Sequence, residues 1–427
     1  MLEVIFHDRM KKYKCLTNDS LVASAIFVPY YAGLDLRRYL WGFNTSMRDS
    51  SGFDLINWLK QKPQWKTMWG KDHFLVSSRI ARDFRRKSDR KSDWGSNFRF
   101  LPESKNLSML TIESGPWEND IAVPYPTSFH PSSDYQVLQW QNPMRTQNRP
   151  YLFSFAGASR TRQKNSTRKE IIRHCQSSNK LCKLLDCNSV GHECDDPLKL
   201  MNLFRSSIFC LQPPGDSLTR RSTFDSILAG CIPVFFHPGS AYTQYLWYLP
   251  KNYSNYSVFI SANDLKLGKV RIEEKLVTVS KDEVASMREE VIRLIPRIIY
   301  GDRRSGLESV EDDAFDLAIE GVLKRVDRLR GRSAYTQYLW YLPKNYSNYS
   351  VFISANDLKL GKVRIEEKLV TVSKDEVASM REEVIRLIPR IIYGDRRSGL
   401  ESVEDDAFDL AIEGVLKRVD RLRGSDL

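Results

Sequence analysis

The sequence predicts an α/β protein built from two parallel-sheet domains that face each other across a cleft. Three observations predict it. In the first half, short apolar runs recur between polar or Gly-bearing loops, as buried parallel strands do. In the second half such runs alternate with helical patterns at crossovers of about a dozen residues, the mark of a doubly wound parallel sheet. A length of 427 residues, 41% of them hydrophobic, is enough to bury more than one core.

Taken in order, MLEVIFHDRMKKYKC reads as an amphipathic helix, and VASAIFV (22–28) as a buried strand stopped by Pro29. Phe53, Ile56, Trp58 and Leu59 recur at helical spacing and predict a helix over 50–62. HFLVSS (73–78) and LSMLTIES (107–114) read as buried parallel strands, with RDFRRKSDRKSDWG between them as a charged surface loop. DIAVPYPTSFHP (120–131) closes this half, and residues 132–149, rich in Pro, Gln, Asn and Ser, read as a linker. The second half opens with YLFSFAGASR, a strand running into a glycine-containing loop, followed by a basic helix over roughly 165–176. DPLKLMNLFRSS is a helix, SIFCLQP a strand, PPGDSLTRR a loop, STFDSILAG a helix and CIPVFF a strand. Helices follow at 281–295 and 312–326, giving predicted domains of 1–148 and 149–331.

Ser240–Gly331 then recurs without one change as Ser333–Gly424, a period of 93. Repeat architectures stack drifted units, usually three or more. Two perfect copies read instead as a duplicated segment. It opens in mid-element, with SAYTQYLWYLP continuing from CIPVFFHPGS, so copy one is expected to complete a domain and copy two, 333–424, to be redundant.

The formal net charge is +12. Each copy carries 15 Lys+Arg against 15 Asp+Glu, so the surplus belongs to residues 1–239. A basic half fits an anionic ligand such as a nucleotide diphosphate, or simply a solvated positive face. Nucleic acid is discarded as a partner, because no aromatic-and-basic motif of the known modules is present. No run reaches the ~18 apolar residues of a membrane span and no signal peptide opens the chain. Yet Asn18, Asn44, Asn106, Asn165, Asn252, Asn255, Asn345 and Asn348 sit in N-x-[ST] sequons, 8 of 18 asparagines, which matter only in the secretory pathway. Cys175, Cys182, Cys187 and Cys194 cluster without a C-x-x-C pair. They predict one or two local disulfides of open connectivity rather than a zinc site with His174 and His192. Cys210 and Cys231, in apolar runs, read as buried thiols.

Ligands of open α/β sheets bind beyond the carboxyl ends of strands, often at helix N-termini. The segment Pro213–Arg221 (PPGDSLTRR) occupies such a junction. Gly215 permits close backbone approach, Ser217 and Thr219 offer hydroxyls, and Arg220 and Arg221 offer bidentate contacts to phosphate. Asp225, one turn beyond Arg221, is placed to accept from ribose hydroxyls. The competing reading is a helix capped by Asp216 or Ser217 with an Arg221–Asp225 ion pair. Gly157 and Arg160, after the YLFSFAG strand, form a second, weaker candidate, and no Walker A pattern is present. In the first half, Asp35 in YYAGLDL, His73 in KDH and Glu113 at a strand end are candidates for acceptor contacts or for a general base, His73 or Asp35 foremost. Each has an ordinary alternative, as a turn residue, a satisfied histidine or an ion-pair member. The chain lacks a paired-carboxylate hydrolase signature, G-x-S-x-G and a D-x-D-type metal motif, which favours a metal-free transferase.

The run FCLQPPGDSLTRRSTFDSILAGCIPVFFHPGSAYTQYLWYLP resembles the exostosin-like glycosyltransferases of plants, nearest the xyloglucan galactosyltransferase branch. FVPYYAGLDL, GKDHFLV, MLTIES, DIAVPYPTSFHP and LFSFAGASR match that branch in the same order, over nearly all of 1–331. The resemblance implies a GT-B fold, two Rossmann-like domains facing a cleft, and an inverting transfer of galactose from UDP-galactose to xylose side chains of xyloglucan in β-1,2 linkage. It places the donor on Gly215, Asp216, Ser217, Thr219, Arg220, Arg221 and Asp225. It implies a type II Golgi anchor with a lumenal catalytic domain, Golgi glycosyltransferase complexes as partners, and no cofactor beyond the donor. Family members begin with a tail, an anchor and a first strand that precede Met1 of this chain, and they lack the second copy. Within the family the transferred sugar could instead be galacturonic acid or arabinose. An inactive scaffold relative is the non-enzyme alternative.

Overall fold

The structure is a computed structural model. It describes residues 1–158, 166–178, 180–187, 194, 196–302, 310 and 312–331, then 341–343, 346–353, 358, 361, 363–392, 406–407 and 409–413. The chain divides into two compact units, Met1–Val326 and Asp327–Leu427.

The first unit holds two wholly parallel sheets. One is formed by β1 (Ile26–Phe27), β2 (His73–Ser77), β3 (Ser108–Thr111) and β4 (Asp120–Ala122), in that order across the sheet. β2 and β3 are buried at every position, which is why their sequences show apolar runs without alternation. The strand expected over 22–28 shortens to two residues. Its one neighbour, β2, begins at His73 opposite Ile26, so nothing lies upstream to pair with, and Leu21 and Val22 are exposed. Helices α1 (Leu2–Lys11), α2 (Ala32–Arg38), α3 (Thr45–Lys60) and α4 (Pro63–Met68) surround this sheet. In α3 the buried face is Arg48, Gly52, Ile56 and Leu59, whereas Phe53 and Trp58, expected on the apolar face, are half-exposed. Gly52 is there because a Cβ would come within 2.8 Å of the Phe98 ring.

The second sheet comprises β5 (Tyr151–Gly157), β6 (Cys182–Asp186), β7 (Ser207–Gln212), β8 (Ile232–Phe235) and β9 (Val258–Phe259), ordered β6-β5-β7-β8-β9. In chain order this is 2-1-3-4-5, a doubly wound pattern whose direction reverses between β5 and β7. Two parallel α/β sheets in one body are the arrangement that defines the GT-B type. The crossovers are α6 (Thr167–Ser177), α7 (Pro197–Arg205) and α8 (Arg221–Leu228). β6 was hidden in the cysteine cluster, because an edge strand with only Cys182 fully buried has no long apolar run to announce it.

The stretch 132–149 is not a linker but carries α5 (Asp134–Thr146). Val137, Gln141 and Met144 recur every three to four residues and are buried, with Trp140 stacked on Phe129 at 4.4 Å. Its polar composition conceals that stripe. Three disulfides are present: Cys175–Cys182, Cys187–Cys194 and Cys210–Cys231. The last corrects the reading of Cys210 and Cys231 as free thiols. Helix α8 returns the chain so that β8 pairs with β7, Cys210 opposite Pro233, leaving Cys231 with its Cα 5.9 Å from that of Cys210.

The two sheets are joined where the two ends of this unit meet. α13 (Ala314–Gly331) packs beside α1, where the buried Arg9 guanidinium binds the Asp313 carboxylate and donates to Gly301 O at 3.0 Å, and Phe6 meets Phe315 at 5.1 Å. Further along α13, Arg325 Nε donates to Ser108 Oγ of β3 at 3.2 Å.

The second unit contains copy two, and sequence identity makes it an internal comparison. Copy one forms α10 (Ile272–Val277) and α11 (Lys281–Arg293), the latter started by a Ser280–Glu283 capping box. Copy two forms the same helices at Ile365–Val370 and Lys374–Leu387, with the same box at Ser373–Glu376. Burial differs on the apolar face of these helices. Ile292 is 0% exposed and its counterpart Ile385 58%, while Leu276 is 1% and Leu369 49%. Val351 and Phe352, the counterparts of β9, form no strand.

Candidate active site

The switch between β5 and β7 is where an open α/β sheet receives a ligand. β5 ends on Gly157, where a Cβ would fall 2.5 Å from the Phe155 ring, so only glycine fits. β7 ends on Gln212, 1% exposed, which leads into Pro213–Arg220. Within that loop Gly215 N donates to Ser217 O at 2.8 Å, and a Cβ on Gly215 would meet Arg168 Nη2 at 2.8 Å. Arg168 itself donates to Pro214 O at 3.2 Å, bringing a second guanidinium to the loop.

Arg220 turns inward. Its Nη2 donates to Ala156 O at 2.8 Å at the end of β5, and its Cζ lies 5.5 Å from the Phe155 centroid. Burial, with Arg168 nearby, pushes its guanidinium down to about 9, still cationic at neutral pH. Among the described residues Arg220 Nη1 has no partner, and neither has Gln212 Nε2, whose amide oxygen accepts from Ser222 Oγ at 2.7 Å. Leaving a buried donor unmade costs on the order of 1–3 kcal/mol, more for a charged group, so two such donors at one switch point make it a candidate place for an acceptor-rich ligand.

α8 starts at Arg221 with Arg220 at its N-cap and no side-chain cap, so capping by Asp216 or Ser217 is not what the structure shows. The Arg221–Asp225 contact exists at 3.6 Å, with Arg221 half-exposed. Asp225 is buried, and burial pushes its carboxyl up to about 6 despite Arg221. Perturbed carboxylates of this kind cluster at functional sites. Thr219 serves a different contact. Its N and Oγ donate to Glu113 at 2.8 and 2.6 Å, and its Oγ lies 3.0 Å from Tyr125 OH. Glu113 therefore fastens the loop after β7 to the end of β3. Gln244 accepting from Ser114 N and Tyr245 donating to Ile112 O reinforce the joint.

Asp216 and Ser217 line one wall of a cleft of ≈ 720 Å³ whose other wall is Ser78–Trp94, the segment after β2. That segment is not the solvated loop expected from RDFRRKSDRKSDWG. Asp83, Arg85 and Arg86 are buried. Asp83 accepts from Arg79 Nε at 2.8 Å and from Trp94 Nε1 at 2.9 Å, Arg85 pairs with Asp120 at 2.7 Å, and Arg86 binds Asp49 at 2.7 Å. The alternation of both charge signs with Phe84 and Trp94 was the available signal, since a purely solvated run has no use for large aromatics. Burial raises the Asp83 carboxyl above its ordinary value, against Arg79 and the hydrogen bonds.

The structure thus gathers Gly157, Gly215, Arg220 and Asp225 at the switch point and Asp216 and Ser217 at the cleft. His73 and Asp35 stand elsewhere. His73 is the first residue of β2, at the amino end of a strand whose carboxyl end leads to the cleft, and it is buried against Asp72 at 2.7 Å. Asp35, in α2, accepts from Tyr30 OH at 2.7 Å and Ser51 Oγ at 3.0 Å. Neither lines the cleft. Arg160 lies outside the described residues. Gln212, Arg168, Arg79, Asp83 and Trp94 were missed from sequence, because each acts through a fold contact that no short motif records.

Residues 1–276 match the exostosin GT47 domain, and the chain belongs to that family. It is 53% identical over 353 residues to xyloglucan galactosyltransferase MUR3 of Arabidopsis thaliana, covering 82% of this chain and 57% of that protein. It is 58% identical to the probable xyloglucan galactosyltransferase GT14 of the same plant, over 77% of this chain and 63% of the relative. Xyloglucan-specific galacturonosyltransferase 1 of Arabidopsis thaliana is 42% identical, over 76% and 49%. The chain thus spans about three fifths of the length of the first two relatives. Among the described residues no helix is long and apolar enough to cross a membrane.

Proposed function

We propose that the chain is an inverting glycosyltransferase that moves galactose from UDP-galactose to xylose side chains of xyloglucan, in β-1,2 linkage. The observation that carries the donor half of the reading is the pair of buried, unpartnered donors, Arg220 Nη1 and Gln212 Nε2, at the β5/β7 switch point. A diphosphate offers acceptors to both, and Arg220 supplies a cation at low dielectric, so the leaving diphosphate is stabilised by protein charge without a metal. Gly157 and Gly215 allow the backbone to approach, and the buried Asp225 accepts from the ribose. The sugar and the acceptor follow from the names of the relatives. Their identities of 53% and 58% exceed the 42% of the galacturonosyltransferase, and this favours galactose. Secretory sequons and disulfides agree with a Golgi lumenal setting.

The acceptor hydroxyl must lose its proton as the diphosphate leaves. Asp83 is one of three carboxylates on the cleft wall, with Asp93 and Asp216, and the one whose pKa burial raises. Its position on the cleft wall supports that role, and His73 and Asp35 do not line the cleft. Calorimetry with UDP tests the assignment. Arg220→Ala should weaken UDP binding at least tenfold, the effect of about 1.4 kcal/mol or more. Asp83→Asn should keep UDP affinity and lose transfer. Unchanged UDP affinity in Arg220→Ala would remove the donor site from this switch point.

A further inference from the structure

Trp41 and Trp94 are stacked, with ring centroids 4.8 Å apart and planes 17° from parallel, and are 54% and 46% exposed. Nothing in the donor chemistry needs them. Two large apolar rings left half in water and still rigidly mounted call for a reason. The mounting is extensive. Arg48, buried, donates to Leu40 O at 2.6 Å and Gly95 O at 2.5 Å and also to Asp93 O, so one guanidinium grips both segments that carry the rings. Gly42 N donates to Lys91 O at 2.7 Å and Gly95 N to Leu40 O at 2.9 Å, zipping the two segments together. Gly95 has φ +91°, and a Cβ there would lie 2.0 Å from Asp83 O, so the loop closes only with glycine at that position. Trp94 lines the cleft and binds Asp83 through its indole N–H, which joins the pair to the wall that carries the base.

We infer that the Trp41–Trp94 pair is the acceptor platform, on which the pyranose backbone of a xylose-decorated β-glucan stacks so that one side chain reaches into the cleft. This rests on the proposed function for the cleft. The chemistry commits to a neutral glucan. Pyranose rings present C–H faces that cover aromatic rings, and binding sites place such rings beside a few polar groups that fix orientation. A platform at the mouth also suits a polymer, which cannot enter a cleft of ≈ 720 Å³ whole.

The test is affinity electrophoresis of the full chain through gels containing xyloglucan, with hydroxyethylcellulose as a second neutral glucan. Trp41→Ala should lose about tenfold in xyloglucan affinity and Trp41→Phe should retain most of it, with UDP affinity unchanged in both. Trp41 makes none of the mounting hydrogen bonds through its side chain, and unchanged UDP binding shows that the variants fold. Trp41→Ala migrating as the native chain does would overturn the platform, and so would a native chain retarded by neither glucan. Failure of the galactosyltransferase reading looks different: a native chain retarded by xyloglucan through Trp41, yet transferring no galactose, keeps the platform and removes the proposed reaction.

Discussion

At the residue scale, the proposed donor site stands out because its groups are held in states that cost stability. Asp225 is the clearest case. Its carboxyl is raised from 3.8 to about 6, so between those values the native state binds more protons than the unfolded chain. Stability therefore falls as pH rises through that window and stays lower above it. Asp225→Asn removes the penalty. The variant should gain up to about 2–3 kcal/mol at pH 7.5 and nearly nothing at pH 4, while losing UDP affinity. Denaturant melts at the two pH values check this, and a loss of stability at pH 7.5 would make Asp225 a structural carboxylate. The sequence offers Arg220 as a candidate phosphate ligand but not its inward turn, since the Ala156 carbonyl that orients it is 64 residues away.

At the element scale, the sequence announces strands buried on both sides and helices with strong caps, and obscures whatever depends on a distant neighbour. β2, β7 and β8 were legible because burial at almost every position leaves continuous apolar runs. α5 was not, because Pro143 and five exposed or half-buried amide or charged side chains surround three buried positions, one of them the amide Gln141. Copy two makes the distinction within one chain. The capping box at Ser373 restores its helix, yet the apolar face remains exposed without the sheet that receives copy one. Helix start signals are local and burial is not. Arg149 shows a different omission. It donates to Phe204 O at 3.0 Å, Ser207 O at 2.9 Å and Ala229 O at 2.8 Å, tying the ends of α7 and α8 to the start of β7. Burial lowers its pKa to about 9, which its three carbonyl partners tolerate. Arg149→Met leaves those carbonyls unsatisfied and should cost about 3 kcal/mol or more in urea denaturation. A cost below 1 kcal/mol, about the effect of a surface change, would contradict that role.

At the scale of the whole molecule, two sheets share one body because both ends of the first unit return to the seam. α1 and α13 close one side through Arg9 and Asp313, and Glu113 with Thr219 closes the other beside the cleft. Copy one supplies Asp313 to that closure, and copy two is expected to be dispensable for it. A chain ended at Gly331 should keep its melting temperature and bind less of a hydrophobic dye, because Ile385, Ile388, Ile391 and Ile392 leave with the appendage. Collapse of the melt on truncation would show that the second unit supports the first.

The central claim is the transfer itself. The most direct measurement incubates the chain with UDP-galactose and a xylose-decorated glucan oligosaccharide, and follows the oligosaccharide by mass and linkage. The account predicts addition of one hexose to a xylose, β-1,2-linked, lost in Arg220→Ala. Recovery of unmodified oligosaccharide from an intact, UDP-binding chain, or transfer that survives Arg220→Ala undiminished, would contradict it.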